Sequence, residues 1–102
     1  MGSIPVNAIG AYALDHGADE DSNIIDYQIT EDEYTELFKS GLIPYINKNF
    51  QLLIDEYETE IIPYQKAEKI LEILNGTKFW DYAFAKSLRD AVKHKTYVEC
   101  DL

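Results

Sequence analysis

The apolar positions near the N-terminus predict two strands separated by a loop. Residues 7–14 are mostly small and apolar, which predicts a strand, although their alanines equally allow a short helix. Residues 17–23 are mainly turn formers and acids, which predicts an exposed loop. Residues 24–29 alternate between apolar and polar side chains, as a half-buried strand does. The apolar members of that alternation are Ile25, Tyr27 and Ile29.

A helix is predicted to begin directly after the second strand. Thr30 and Glu33 have the spacing of a capping box, in which the threonine oxygen accepts from the Glu33 N–H. The Glu33 side chain would return to the Thr30 N–H. Gly41 is predicted to end the helix in the left-handed conformation. The predicted buried stripe consists of Tyr34, Leu37 and Phe38.

The longest periodic segment predicts a second helix over residues 44–61. Pro44 suits the first position of a helix, and the apolar residues that follow fall on one helical face. A competing interpretation places a break near residues 47–49 and a strand over residues 50–54. The predicted inward face of the long helix consists of Ile46, Phe50, Leu53, Ile54, Tyr57 and Ile61.

Two further helices and a strand complete the predicted order. A third helix follows Pro63 and ends at Asn75-Gly76, and Thr77 is the predicted N-cap of a fourth. Residues 96–102 alternate as a strand whose inward side chains are Val98, Cys100 and Leu102. The C-terminal strand has to find partners near the N-terminus. This order predicts a single α+β domain over residues 1–102, with a small antiparallel or mixed sheet packed against about four helices.

The charge of the chain is strongly acidic and unevenly distributed. The net charge is -10, and residues 1–60 carry 13 acids and 2 bases, whereas residues 61–102 carry 6 acids and 7 bases. Such a surface repels phosphate, which argues against direct binding to nucleic acid or to an anionic membrane. The excess falls in three clusters: Asp15/Asp19/Glu20/Asp21, Glu31/Asp32/Glu33/Glu36 and Asp55/Glu56/Glu58/Glu60.

Known catalytic and metal-binding motifs do not fit the sequence. With one cysteine and two histidines, the chain has too few ligands for a structural zinc site of the usual kind. Asp19, Asp21 and Asn23 have calcium-loop spacing, but Ile24 and Thr30 replace the glycine and glutamate that such a loop needs. We therefore predict no catalytic residue, no metal and no cofactor, and a structural role for Cys100 as a buried thiol.

The third acidic cluster has unfavourable charge spacing for an ordinary surface helix. In the predicted helix Glu56 lies four residues before Glu60, and the acids crowd the helix end that disfavours negative charge. One interpretation is a surface for a basic partner. The alternative is a surface network in which Lys66 and Lys69 fold back against these carboxylates.

The tyrosines divide into predicted core residues and predicted contact residues. Tyr45 and Tyr82 lie off the apolar stripes and are the better candidates for exposed contact with a partner. The remaining aromatic residues of the helices are assigned to the core: Tyr34, Tyr57, Tyr64 and Trp80.

The size, the acidity and two segments of the chain resemble the small immunity proteins of bacterial contact-dependent inhibition and polymorphic toxin systems. The segments are residues 53–62 (LIDEYETEII) and residues 96–102 (TYVECDL). The resemblance implies a cytoplasmic protein without catalysis that binds one cognate toxin domain, often a nuclease. The absence of a long apolar run and of a basic-then-apolar leader is in keeping with the cytoplasm.

The sequence thus predicts an immunity-type inhibitor that neutralises a basic toxin domain through an acidic surface. The alternative is a non-catalytic adaptor or regulatory subunit that binds a basic host or phage protein. The protein is predicted to be a monomer or a weak homodimer. The predicted partner-binding residues are Asp55, Glu56, Glu58, Glu60, Asp19, Glu20, Asp21, Tyr45 and Tyr82.

Overall fold

A four-stranded antiparallel sheet forms the centre of the structure. The computed structural model describes residues 1–17, 21–55 and 57–101. The strand order is β2-β1-β4-β3, so that the C-terminal strand lies between the N-terminal strand and the third strand. The strands are β1 (Gly2–Pro5), β2 (Ile24–Tyr27), β3 (Thr59–Pro63) and β4 (Tyr97–Asp101).

Five α-helices and one 3₁₀ turn in the described residues surround this sheet, which confirms the predicted α+β class. Helices α4 and α5 pack against each other and against the sheet, while α1 packs on β1 and β2. The helices are α1 (Ala8–Asp15), α2 (Glu31–Lys39), α3 (Leu42–Phe50), α4 (Tyr64–Leu74) and α5 (Ala83–Lys93), and the 3₁₀ turn is Lys78–Asp81.

The core lies between one face of the sheet, called here the inner face, and the larger helices. Alternation along β1 and β4 turns Ile4, Val98 and Cys100 inward, and each of these side chains is at most 1% exposed. Phe84 and Leu88 of α5 are buried against them. The opposite, outer face contains Ser3 of β1 and Glu99 of β4, which are directly paired.

Several predicted elements are confirmed. The strand over residues 24–29 corresponds to β2, and the helix after Thr30 corresponds to α2. The third helix corresponds to α4, and the C-terminal strand corresponds to β4. Gly41 has φ +87°, which confirms the predicted left-handed position at the end of α2. Leu102 lies outside the described residues.

The predicted strand over residues 7–14 is wrong, and the alternative of a short helix is confirmed. The Asn7 side-chain oxygen accepts a hydrogen bond from the Gly10 N–H at 2.9 Å and caps α1. Alanines then favour the helical conformation. The strand that pairs with β2 is instead formed by Gly2–Pro5, a segment that the sequence pattern did not predict as a strand.

The predicted long helix over residues 44–61 is also wrong, because α3 ends at Phe50. Gln51 has the left-handed conformation, with φ 55°, and stops the helix. The Asn47 side chain then bonds both backbone groups of Ile54, which holds the following segment in a non-helical path. The competing break near residues 47–49 is close to this boundary, but the strand begins at Thr59 rather than at Phe50.

The predicted fourth helix is divided into two pieces. Thr77 accepts from the Phe79 N–H at 3.2 Å and caps only the 3₁₀ turn, after which Tyr82 is extended and α5 begins. The Glu33 carboxylate accepts from the N–H groups of Ala83 and Phe84, both at 3.0 Å. The Thr30 half of the capping box is confirmed, but Glu33 caps α5 instead of its own helix.

Two aromatic residues assigned to the core are exposed. The Phe38 side chain is 51% exposed and Tyr57 is 86% exposed. Successive residues of a helix point about 100° apart, and in the last turn of α2 Leu37 rather than Phe38 faces the core. Tyr57 lies outside any helix, so the periodicity that placed it inward does not apply.

Candidate protein-binding surface

Acidic side chains follow the outer face of the sheet from one edge towards the other. The strand register places Asp26 beside Ser3, Ser3 beside Glu99, and Glu99 beside Ile61. Asp101 occupies the next outward position of β4, opposite Thr59. The Ser3 hydroxyl donates to Asp26 at 2.6 Å. Among the described residues, no hydroxyl group donates to a carboxylate of β4. This face therefore has negative charge on β2 and β4.

A depression of about 420 Å³ lies on the outer face, where α1 reaches the sheet. Burial raises the pKa of the Glu99 carboxyl, and the neighbouring charges of Asp101 and Asp15 raise it further. The ionised form of Glu99 is therefore held in a site that disfavours it. The depression is lined by Met1, Ser3, Leu14, Gly17, Ile24, Asp26, Glu99 and Asp101.

Replacing Glu99 with glutamine is expected to stabilise the isolated protein at neutral pH. The raised pKa means that the folded state binds the Glu99 proton more tightly than the unfolded state does. The ionised carboxylate thus costs stability above its folded pKa, and this cost disappears as the pH falls below the ordinary value of 4.5.

Urea unfolding of wild type and Glu99→Gln over this pH range measures the difference. The stabilising effect should be present at neutral pH and should vanish in acid. A variant that is less stable than wild type at neutral pH would contradict the assignment.

A second group of exposed residues lies at the β3 edge of the sheet. We call it the β3 edge surface and define it as the exposed side chains of Leu53, Tyr57, Glu58 and Ile61 together with the half-buried Asp55. Its three apolar members are 52%, 86% and 51% exposed, in chain order. Single exposed apolar residues are common, whereas a group of them marks a candidate contact surface.

The backbone that carries the β3 edge surface is held by three side chains. Asn47 accepts from the Ile54 N–H at 2.8 Å and donates to the Ile54 carbonyl at 3.0 Å. Glu60 accepts from the N–H groups of Leu53 at 2.8 Å and Ile61 at 3.0 Å. Asp55 accepts from the N–H groups of Tyr57 at 2.9 Å and Glu58 at 2.8 Å. Five of these hydrogen bonds hold described residues of the loop before β3, and the sixth joins Glu60 to Ile61 within the strand.

The open edge of β3 is poorly suited to the addition of another strand. The register, together with the bond from the Tyr64 N–H to the Thr96 carbonyl, turns the backbone groups of Ile61 and Pro63 away from β4. The Ile61 N–H already donates to Glu60, and proline has no N–H. Strand pairing at this edge would have to break the Glu60 hydrogen bond.

The acidic clusters have different structural roles. In the second cluster, Glu33 caps α5 and Glu36 bonds both Lys78 and the Tyr82 hydroxyl at 2.6 Å. The pKa of Glu36 is lowered by these bonds, first that to Lys78 and then that to Tyr82. Glu33 and Glu36 of this cluster therefore serve the fold.

The third cluster lacks the ion pairs that a surface network with Lys66 and Lys69 would require. Within the described part of the chain, the one ion pair closer than 4.0 Å joins Lys78 and Glu36. Neither Lys66 nor Lys69 pairs with a described carboxylate of this cluster. Asp55 and Glu58 therefore have no described basic partner at the β3 edge.

The structure separates the predicted partner-binding residues into several places. Glu58 is exposed on the β3 edge surface, whereas Asp55 and Glu60 are half-buried and accept hydrogen bonds from the backbone. Asp21 accepts from the backbone and side chain of Asn23, before β2. Glu56, Asp19 and Glu20 lie outside the described residues.

The two predicted contact tyrosines also differ. Tyr45 on α3 is 51% exposed, as predicted. Tyr82 was expected to be exposed but is half-buried, packs edge-on against Phe79 with ring centres 5.2 Å apart, and donates to Glu36. The structure therefore places one of the two tyrosines at the surface and the other in an internal network.

Sequence reasoning missed Leu53, Tyr57 and Ile61 as surface residues, and it did not place Glu99 and Asp101 on the acidic face. The first three have the spacing of one helical face, so the sequence pattern placed them in the core. A signal for the last two was present in residues 96–102, because the outward positions of an alternating strand contain Glu99 and Asp101.

Chemical sites of other kinds have little support in the geometry. Cys100 is 1% exposed, and burial raises the pKa of its thiol to about 12, so it is a poor nucleophile. Among residues 1–17, 21–55 and 57–101, no three histidine, cysteine or carboxylate side chains are grouped so as to hold a metal ion. No helix in the described ranges has the length and apolarity needed to cross a membrane.

Comparisons with protein-family models, with curated proteins and with solved structures gave no match to this chain. Inference about function consequently starts from the surface of the protein itself.

Proposed function

We propose that this protein is an immunity-type inhibitor, which binds and neutralises a cognate basic toxin domain. The observation that carries the proposal is a set of carboxylates on the outer face of β4 and in the loop that leads into the neighbouring strand β3. None of these carboxylates forms an ion pair with a described basic residue. A basic protein surface would supply the missing cations.

A nuclease domain is the partner class that fits this charge best. An enzyme that binds phosphate presents lysine and arginine around its cleft. Carboxylates of an inhibitor can form ion pairs with the same basic groups. Complementary charge also raises the association rate, towards ~10⁸–10⁹ M⁻¹s⁻¹ at low salt. Fast capture suits an inhibitor that must act before the toxin does.

Inhibition in this proposal is by binding, without a reaction of its own. The protein would act in the cytoplasm, where the toxin reaches its substrate, and would function as a monomer. The bonds that close the β3 edge disfavour self-association through that strand.

Co-expression with the product of the gene directly upstream tests the proposal. Expression of that product alone should arrest growth, and co-expression of this chain should restore it. The two purified proteins should form a stable complex. A neighbouring product that is not toxic would contradict the inhibitor assignment, and one that binds without toxicity would instead favour an adaptor or regulatory subunit.

A further inference from the structure

We infer that the β3 edge surface is the docking site, and that it inserts Tyr57 into an apolar pocket of a folded partner whose rim carries lysine and arginine. This inference rests on the proposed function and specifies where and how the partner binds. It commits to one occupant, a basic folded protein.

Tyr57 has the properties of an interface anchor. Its side chain is 86% exposed. Leu53 and Ile61, which lie four residues before and after it in the sequence, are about half exposed. Tyrosine is enriched among the residues that dominate binding energy, because it buries a large area and loses few rotamers. Residues that are this exposed contribute little to the isolated fold, so their apolar character is better accounted for by contact with another surface.

The anchor is carried by a loop that is already fixed. Asn47 bonds both backbone groups of Ile54, whose side chain is 2% exposed, so the loop is tied to the core immediately before the surface residues. Asp55 fixes the turn at Tyr57, and Glu60 joins the backbones of Leu53 and Ile61. A preformed loop loses less conformational entropy on binding, which favours affinity.

The charges beside the anchor define the chemistry of the partner. Asp55 and Glu58 flank Tyr57 along the chain. Asp101 of β4 lies opposite Thr59, the first residue of β3. A second copy of this chain would place like charges together, and strand addition would compete with Glu60 for the Ile61 N–H. Side-chain docking against a basic surface avoids both conflicts.

Binding to the protein encoded by the gene directly upstream is the first test, with Tyr57→Ala as the variant and Tyr12→Ala as the matched control. Tyr12 is also an exposed tyrosine, but it lies on α1 and outside the β3 edge surface. Tyr57→Ala should weaken binding about 30-fold or more, mainly through faster dissociation. Tyr12→Ala should change the affinity by less than about twofold.

Asn47→Ala supplies a second, partner-independent measurement by hydrogen exchange. In the wild type, the N–H groups of Leu53, Ile54, Tyr57 and Glu58 should be protected. The Ile54 N–H should lose protection in the variant, while amides in α4 and α5 stay protected and show that the protein is folded. Affinity should then fall about threefold to tenfold, although Asn47 does not contact the partner.

The outcomes separate this inference from the proposed function. If the wild type binds the toxin domain and Tyr57→Ala binds equally well, the docking site is wrong and the inhibitor proposal stands. If the wild type does not bind, both are wrong. Loop amides that exchange in the wild type as fast as in an unstructured peptide would overturn the preformed loop, whatever the partner.

Discussion

Replacing Gly10 with alanine is expected to destabilise the protein by about 3 kcal/mol. An added Cβ would lie 2.1 Å from the backbone oxygen of Asn23, and no side-chain rearrangement relieves a clash with backbone. Helix propensity alone predicts the opposite, a gain of about 0.5–1 kcal/mol from alanine within a helix. The packing effect is the larger one, so α1 must move away from the segment that precedes β2.

Urea unfolding of Gly10→Ala measures this difference directly. Ile9→Ala is the matched control, since Ile9 is next to Gly10 in α1 and is 66% exposed, so it should change stability by less than about 0.5 kcal/mol. Stabilisation by Gly10→Ala would show that α1 does not pack as closely as described. Because α1 places Leu14 beside the outer-face depression, the variant should also alter that part of the acidic face.

Truncating Phe84 to alanine is expected to cost about 3–5 kcal/mol. Phe84 is 1% exposed and is among the largest fully buried side chains, so its removal leaves a cavity between α5 and the rest of the core. Small domains have total stabilities of about 5–15 kcal/mol, so the variant should lose a large part of its folding free energy.

Phe38→Ala provides the control for Phe84→Ala. Both changes remove the same atoms, but Phe38 is 51% exposed and should lose less than about 1 kcal/mol. Thermal or urea unfolding distinguishes the two variants. Equal losses would mean that Phe38 belongs to the core, as its helical spacing suggests, and that the described packing of α2 is incorrect.

Elements with local signals were predictable from the sequence. Helix α4 has a clear apolar period between Pro63 and Gly76, and β4 has strict alternation. The α+β class follows from their order. These features depend on neighbouring residues only, which is why sequence reasoning can find them.

Elements that depend on distant contacts were not predictable. Glu33 caps a helix 50 residues away, and the Asn47 side chain bonds Ile54 and holds the segment after α3 out of the helical conformation. Helical spacing between residues 46 and 61 is compatible with a helix until these bonds are known. The candidate site follows the same rule, since Asp55 and Glu58 were found from composition, whereas Tyr57 was assigned to the wrong environment.

The most direct test of the proposed basic-partner binding is the salt dependence of association with the protein encoded by the gene directly upstream. The informative variant combines Glu58→Gln and Asp101→Asn, and leaves Asp55 and Glu60 unchanged because both carboxylates hold the loop. The control combines Glu68→Gln and Glu72→Gln, which removes the same charge from exposed positions on α4.

The first variant is expected to associate about threefold to tenfold more slowly at low salt and to have a flatter salt dependence, while the control changes much less. Equal effects of the two variants would reduce the role of these carboxylates to net charge alone. Unchanged association in the first variant would contradict the proposed binding surface.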